Sequence, residues 1–585
     1  MPSGDVEPAR LRVAGRRLRS GRGASAAALW PAALTAAGAV LWIAVLLDVR
    51  GERVGDLGLV SALPAAAFVA LALVCTGCAV AVMRPQTSQG ARLGHVLALV
   101  VVLYGAPHLI AEVPSFNVTW RHAGVSTYIS DHGSVDPSIN AYFNWPGFFV
   151  LQALAVELAG LESALELARW TVLVFNLLYL PPLLLIARSA TDDARFPWLA
   201  ATVFYVGNWV YQDYPSPQGL TFVLYLSIVA ILLVGLSNRA DTAVTPRMRA
   251  ALMVVCFVAA LTAVASHQLT PFAILGSATA LVLLRRTSFR VLPAIVLVLT
   301  VAWVVFAAGT YLNGHIDALK EQVGQVGATV SSSVGSRISG SSQHVLVTRL
   351  RLATAGAVWL LALVAALRLL RRREKRFVPH IVLAAVPVGL VVLQAYGGEI
   401  VLRVYFFSLP FAAVLIASLA PARAQPTRTA AAAVVLLVAA SAFLVTRYGN
   451  QRIELFTPDE VRVVQRAYEL APDGAVLLAP NPQLPWEYAR LGEVRQRTVD
   501  GALKDLPAPP PNLARAVADH VEDAQAYVLV TRNMREYEAL FGRPRWGTIA
   551  QLESSMSRSP LFERVYVNRG GAIYRLRPSP QGMQR

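Results

Sequence analysis

The sequence predicts a polytopic α-helical membrane protein with a small C-terminal extracytoplasmic α/β domain, and three observations lead there. Runs of about 17–25 apolar residues, such as 27–47 and 378–393, recur along the chain and are long enough to cross a bilayer. Charged residues are 15% of the 585 and hydrophobic ones 55%, whereas a soluble domain carries about 25% charged residues. From residue 450 onward the apolar runs give way to mixed charge punctuated by Pro and Gly.

The net charge of +17 does not point to nucleic acid. The arginines at 10–22, 239–249, 285–286 and 371–376 sit between apolar runs, where the positive-inside rule accounts for them and anionic cytoplasmic lipid is their partner. Cys75, Cys78 and Cys256 fall within predicted spans. One CxxC pair on one helix cannot complete a four-ligand zinc site, so these read as small packing residues, with no exported disulfide framework. The arginine-rich N-terminus leads into a full-length span and further spans follow, so it is not read as a cleavable signal.

Charge then threads the chain. The basic tail, 1–26, is cytoplasmic. Span 1 (27–47) exits, span 2 (58–83) returns and span 3 (93–110) exits, which puts 111–168 outside. The apolar run after Trp145 reads as an interfacial helix with Trp145, Phe148 and Phe149 at the membrane surface, because counting it as a span would turn the arginines of 188–195 outward. Spans 4 to 9 follow at 169–187, 197–211, 218–236, 250–266, 271–284 and 291–309. A long outer loop, 310–349, precedes spans 10 to 13 at 352–370, 378–396, 400–420 and 429–447. About thirteen spans result, in a transmembrane domain 27–449 with its N-terminus inside and its C-terminus outside. In the α/β domain, 450–585, Thr457-Pro-Asp-Glu starts a capped helix running to Leu470, 475–479 and 526–531 read as buried strands, and 562–567 pairs with 572–576 as a hairpin around Asn568-Arg-Gly-Gly. The stretch 504–511, Lys-Asp-Leu-Pro-Ala-Pro-Pro-Pro, is a stiff connector.

On this threading four polar segments interrupt the lipid-soluble chain on one side of the membrane, where burial makes such groups costly and therefore informative. The first, 108–146, carries Glu112, His122, Asp131, His132 and Asp136. Glu112 follows a span directly; partial desolvation there would raise its pKa and suit it to general-base work, as a solvated loop acid would not be. Asp131 and Asp136 are further catalytic candidates, while His122 reads as a hydrogen-bond partner or substrate contact. The second segment holds Gln212, Asp213, Tyr214 and Gln218, with Pro215 and Pro217 keeping the backbone extended. Aromatic belts account for its rings but not for its acid and amides. In the third, Ser266-His267-Gln268-Leu-Thr270-Pro271 breaks the helical run, which is tolerated at membrane depth where it lines a cavity. His267 there either donates to a phosphate or satisfies a neighbouring carbonyl. In the fourth, Glu399 and Arg403 are spaced to pair at i,i+4, or to leave the arginine fork for an anionic phosphate. The Gly/Ser-rich stretch 309–344 reads as a lid or a slack connection; it has no Gly-Lys-Ser/Thr of a P-loop.

Trp120-Arg-His-Ala-Gly-Val, Asn144-Trp-Pro-Gly-Phe-Phe, Gln212-Asp-Tyr-Pro-Ser-Pro-Gln and Glu399 with Arg403, in this order, resemble the GT-C superfamily of integral membrane glycosyltransferases, especially its actinobacterial members, over residues 93–450. The resemblance implies a sugar donor on a polyprenyl phosphate, a glycan or lipid acceptor in the cell envelope, and an extracytoplasmic C-terminal domain. It implies an acid early in the first large outer loop, here Glu112 or Asp131, and a second acid in the next, Asp213. Glu112 would take the acceptor proton, and Asp213 would orient the acceptor or a divalent cation. Arg403 and His267 would hold the donor phosphate, with His122, Tyr214, Gln218, Gln268 and Glu399 around the substrate. The competing reading is a transporter or flippase of a lipid-linked or small polar substrate, which also uses broken helices and polar groups. Polar residues gathered at one surface and the lack of a duplicated span pattern weigh against it.

Overall fold

The computed structural model describes residues 26–238, 244–309, 340–392, 399–421, 424–503, 510–521, 525–542, 544 and 546–577. The chain is a multi-pass helical membrane protein. Among the described residues eight helices are long and apolar enough to span a bilayer: Leu29–Leu47, Ala65–Met83, Ala164–Arg188, Pro217–Gly235, Pro246–Ser266, Ser342–Arg371, Ile400–Ala417 and Pro426–Tyr448. Hydrocarbon offers no partner to a backbone N–H or C=O, so the apolar segments satisfy themselves as helices. Predicted spans 3, 5, 8 and 9 fall on shorter apolar helices, Gln89–Tyr104, Phe196–Gly207, Thr270–Leu283 and Leu292–Ala307. Predicted span 11 is an eight-residue α-helix, Val378–Ala385, continued by the 3-10 turns of Val386–Val392. Pro387 removes a ladder donor there and Gly389 weakens the helix further.

Spans 4 and 10 begin furthest ahead of where hydropathy puts them, because polar caps extend them. Ser163 and Glu166 form a capping box at the start of Ala164–Arg188, and the Ser341 hydroxyl accepts the His344 N–H at 3.2 Å at the start of Ser342–Arg371. The latter has 30 residues and is about 45 Å long, more than a hydrocarbon core of about 30 Å, so its first turns reach beyond the membrane. The helix Gly147–Ala159 corrects one expectation. Trp145, Phe148 and Phe149 are buried rather than interfacial, because the Phe148 and Phe149 rings pack around His122 at 6.4 and 5.3 Å. The exposed face of this helix is Val150, Leu151, Leu154 and Leu158.

The C-terminal region has its own core around a five-stranded sheet. Its strands are β1 (Val476–Ala479), β2 (Arg495–Thr498), β3 (Ala526–Thr531), β4 (Phe562–Asn568) and β5 (Gly571–Leu576). The order is β2-β1-β3-β5-β4, with β1 parallel to β2 and β3, β5 antiparallel to β3, and β4 antiparallel to β5 in the hairpin. The helix Pro458–Leu470 begins with the Thr457/Glu460 capping box, and Asn568 accepts the Gly570 and Gly571 N–H groups to close the hairpin. The polar edge strand β2 is an addition to the predicted elements; Arg-Gln-Arg-Thr carries no apolar alternation to announce it. Most of the expected connector 504–511, and of the lid 309–344, lies outside the described residues.

This domain seats on the helix Asn117–His132. Arg121 pairs with Glu487, the Asn117 side-chain amide donates to the Pro482 carbonyl at 2.9 Å, and Trp120 packs edge-on to Tyr488 at 5.2 Å. Gly124 makes the approach close enough: a Cβ there would stand 1.9 Å from the Glu487 carbonyl oxygen and 2.8 Å from the Tyr488 Cα. Gly124→Ala is therefore expected to push the two apart and cost about 1–3 kcal/mol, as overpacking does. Limited proteolysis checks this: cleavage between the domains rises at least severalfold over wild type, and unchanged cleavage would show that the seat is not tight.

Candidate functional site

A cavity of about 340 Å³ opens between the outer-loop helix and the polar breaks, lined by residues of all four segments singled out above, among them His122, Gln212, Tyr214, Gln218, His267, Glu399 and Arg403. That volume lies within the range of small-molecule sites.

The segment 211–218 sets one wall. Proline at 215 and 217 keeps it extended, and side chains of an extended chain alternate in direction. Gln212, Tyr214 and Ser216 accordingly line the cavity, joined by Pro217 and Gln218 from the first turn of the helix that follows, while Asp213 turns the other way and is fully buried. Behind the wall Asp213 Oδ1 receives Arg447 at 2.7 Å, both side chains being wholly inaccessible, and its other oxygen accepts from Asn176. The Arg447 guanidinium lies over the Tyr211 and Tyr104 rings at 4.5 and 4.8 Å, a cation–π seat.

Arg403, in the first turn of Ile400–Ala417, forks its guanidinium. One nitrogen donates to Glu399 Oε2 at 2.8 Å and the other to Gln212 Oε1. His267 sits in the break before Thr270–Leu283, where its Nδ1 accepts the Thr270 N–H at 3.1 Å. That bond leaves the proton on Nε2. Burial, then the neighbouring Arg403, lower its pKa to about 3, so His267 is a neutral donor. His122 has the opposite tautomer: Nδ1–H donates to the Pro215 carbonyl at 2.7 Å, and burial lowers its pKa to about 3. Its Nε2 is a bare acceptor, and neither it nor the two amide atoms of Gln218 has a hydrogen-bond partner among the described residues.

Helix ends add to this. Phe116 is the N-cap of Asn117–His132, Ser216 of Pro217–Ala230 and Glu399 of Ile400–Ala417, while His267 caps Thr270–Leu283. Four helix N-termini, the positive ends of their dipoles, therefore border one cavity that also holds an arginine. Phe116 adopts φ +72°, a costly conformation for a bulky residue. Its N–H donates to the Glu454 carbonyl at 2.9 Å and its ring meets Tyr214 at 4.7 Å, which together hold it there.

The structure thus brings Arg403, His267, His122, Tyr214, Gln218 and Glu399 together and leaves the expected acids elsewhere. Glu112 is exposed; its neighbours Ala111 and Val113 line a small adjoining cavity of about 30 Å³, and Glu112 between them points away. Asp131 is exposed near the end of its helix. Asp136 accepts from the Ser138 N–H and hydroxyl at 2.9 and 2.6 Å, a local turn, and these bonds lower its pKa. Gln268 is partly exposed and outside the lining. Phe116, Tyr142 and Ser216 line the cavity without having been expected there. Arg447 was also missed; an arginine ending the last apolar run was its signal. Among the described residues no group of three or more His, Cys, Asp or Glu could hold a metal ion. A single carboxylate, Glu399, stands among the described lining residues, too few anionic oxygens to fit a divalent-cation site.

No protein-family model and no curated protein sequence matches the chain. Solved structures do. ArnT from Cupriavidus metallidurans bound to undecaprenyl phosphate is similar at 14% identity, over 83% of this chain and 98% of that one, with a TM-score of 0.50. The oligosaccharyltransferase of Archaeoglobus fulgidus in the apo form is similar at 14% identity over 85% of this chain and 75% of that one, with a TM-score of 0.48. The ArnT likeness shows a shared fold over most of both chains.

Proposed function

We propose that this protein is a membrane glycosyltransferase that moves a sugar from a polyprenyl-phosphate donor to a cell-envelope acceptor on the outer face. The observation that carries the proposal is the convergence of Arg403, the neutral donor His267 and four helix N-termini on one cavity, a combination suited to a lipid-linked phosphate. The undecaprenyl phosphate bound by the structurally similar ArnT supports the same ligand class. Outer-face chemistry follows from the basic loops, which assign the opposite end of the bundle to the cytoplasm.

The reaction is a displacement at the anomeric carbon. The bond from that carbon to the phosphate oxygen breaks, a bond to the acceptor oxygen forms, the acceptor proton passes to a carboxylate, and polyprenyl phosphate leaves with the bonding pair. The transition state is oxocarbenium-like. Arg403 and His267 offset the charge that grows on the departing phosphate. Glu399, the sole carboxylate among the described lining residues and partly open to solvent, is assigned as the proton acceptor in place of Glu112. On this assignment Glu399→Gln lowers transfer by about 10²–10⁴-fold, the range for a general base, and Glu112→Gln stays within about threefold of wild type. Purified protein incubated with radiolabelled polyprenyl-phosphate sugar and envelope acceptor measures both. The opposite ranking would return the role to Glu112, and label that crosses the membrane still attached to its lipid would identify a flippase.

A further inference from the structure

We propose that the part of the cavity formed by His122, Gln218 and the Tyr142 and Tyr214 rings is the sugar subsite, and that it selects an uncharged, hydroxyl-bearing sugar. This rests on the glycosyltransferase reading above and adds the class of sugar to it. His122 and Gln218 are both buried and both line the cavity, yet His122 Nε2 and both polar atoms of the Gln218 amide lack partners among the described residues. Buried polar atoms are nearly always paired in a folded protein, so three orphans on two residues that line one cavity mark the outline of a ligand.

The chemistry of the orphans specifies that ligand. With Nδ1–H committed to the Pro215 carbonyl, His122 offers only an acceptor, while Gln218 offers one acceptor and an NH₂ donor. Hydroxyl groups donate and accept, and satisfy all three. The Tyr214 ring stacks on His122 at 5.6 Å with a 17° tilt, and Tyr142 meets it edge-on at 4.8 Å, giving the subsite flat apolar walls between its polar points. Among the described residues, His122, Gln218, Tyr142 and Tyr214 bring no charge of their own to neutralise one on the sugar. The one carboxylate among the described lining residues, Glu399, pairs with Arg403 and is assigned to the acceptor proton, so it does not serve as counter-ion to an ammonium on the sugar. A sugar carboxylate would meet the bare His122 acceptor, with Arg403 committed to the donor phosphate. A site built to hydrogen-bond hydroxyls discriminates strongly against analogues that lack them.

Four chain-matched probes test this by titration calorimetry on the full chain in nanodiscs: polyprenyl phosphate alone, and the same lipid phosphate carrying glucose, glucosamine or glucuronate. The glucosyl lipid is expected to bind about tenfold or more tighter than the bare lipid phosphate, the worth of a well-made hydrogen bond, and the two charged sugars no tighter than the bare lipid. Gln218→Met and His122→Phe should each bring the glucosyl affinity toward that of the bare lipid. The wild-type panel tests the selectivity without any substitution, so a variant that fails to fold does not shield the proposal. Equal binding of bare and glucosyl lipid, or tighter binding of either charged sugar, overturns the subsite while leaving the lipid-phosphate reading standing. Binding of none of the four removes the transferase reading, and the subsite with it.

Discussion

Arg403→Met is expected to lower kcat/KM for sugar transfer by about 10²–10³-fold, the loss seen when one preorganised donor to a developing anion is removed. The effect is electrostatic. Arg403 is buried at the first turn of its helix and held in a fork between Glu399 and Gln212, so it meets a leaving phosphate without reorganising. Arg403→Lys should recover only part of the loss, since an ammonium keeps the charge but cannot serve two oxygens in one plane. A thermal melt separates this from misfolding. Wild-type transfer by Arg403→Met would show that the phosphate is held elsewhere.

Asp213→Asn is expected to act on stability instead. It leaves Arg447 charged and unpaired where neither side chain reaches solvent, and breaking such a pair costs about 3–5 kcal/mol. Folded yield after detergent extraction and Tm should both fall steeply, while transfer per folded molecule changes little. Replacing both partners with apolar residues, Asp213→Leu with Arg447→Met, should recover most of the Tm, because the desolvation cost of the two charges leaves with them. A dead enzyme with an unshifted Tm would restore the functional role that the sequence suggested for Asp213.

The contrast between these two residues shows how much of the site was legible beforehand. Segments are readable from a sequence because burying polar groups in an apolar chain demands a reason, and the segments holding His122, Gln212, Gln218, His267 and Arg403 do meet in one cavity. Direction within a segment is harder. In an extended stretch adjacent residues face opposite sides, so Gln212 lines the cavity and Asp213 lies behind it. The same alternation turns Glu112 outward beside Ala111 and Val113. A partner more than 200 positions away, Arg447 for Asp213, leaves no local trace in either segment. In the C-terminal domain the elements with caps, buried strands and a turn signature were readable, and the polar edge strand β2 was not. Helix lengths followed the same logic: hydropathy located the spans, and the polar caps Ser163 and Ser341 moved their starts.

The most direct test of the central claim is a cryo-electron microscopy map of the full chain with polyprenyl phosphate. Phosphate density is expected within about 4 Å of the Arg403 guanidinium, in reach of His267 Nε2, at the mouth bordered by the four helix N-termini. Phosphate density at the other end of the bundle, in the groove lined by Trp30, Arg84 and Gln425, with the Arg403 cavity empty, would contradict it.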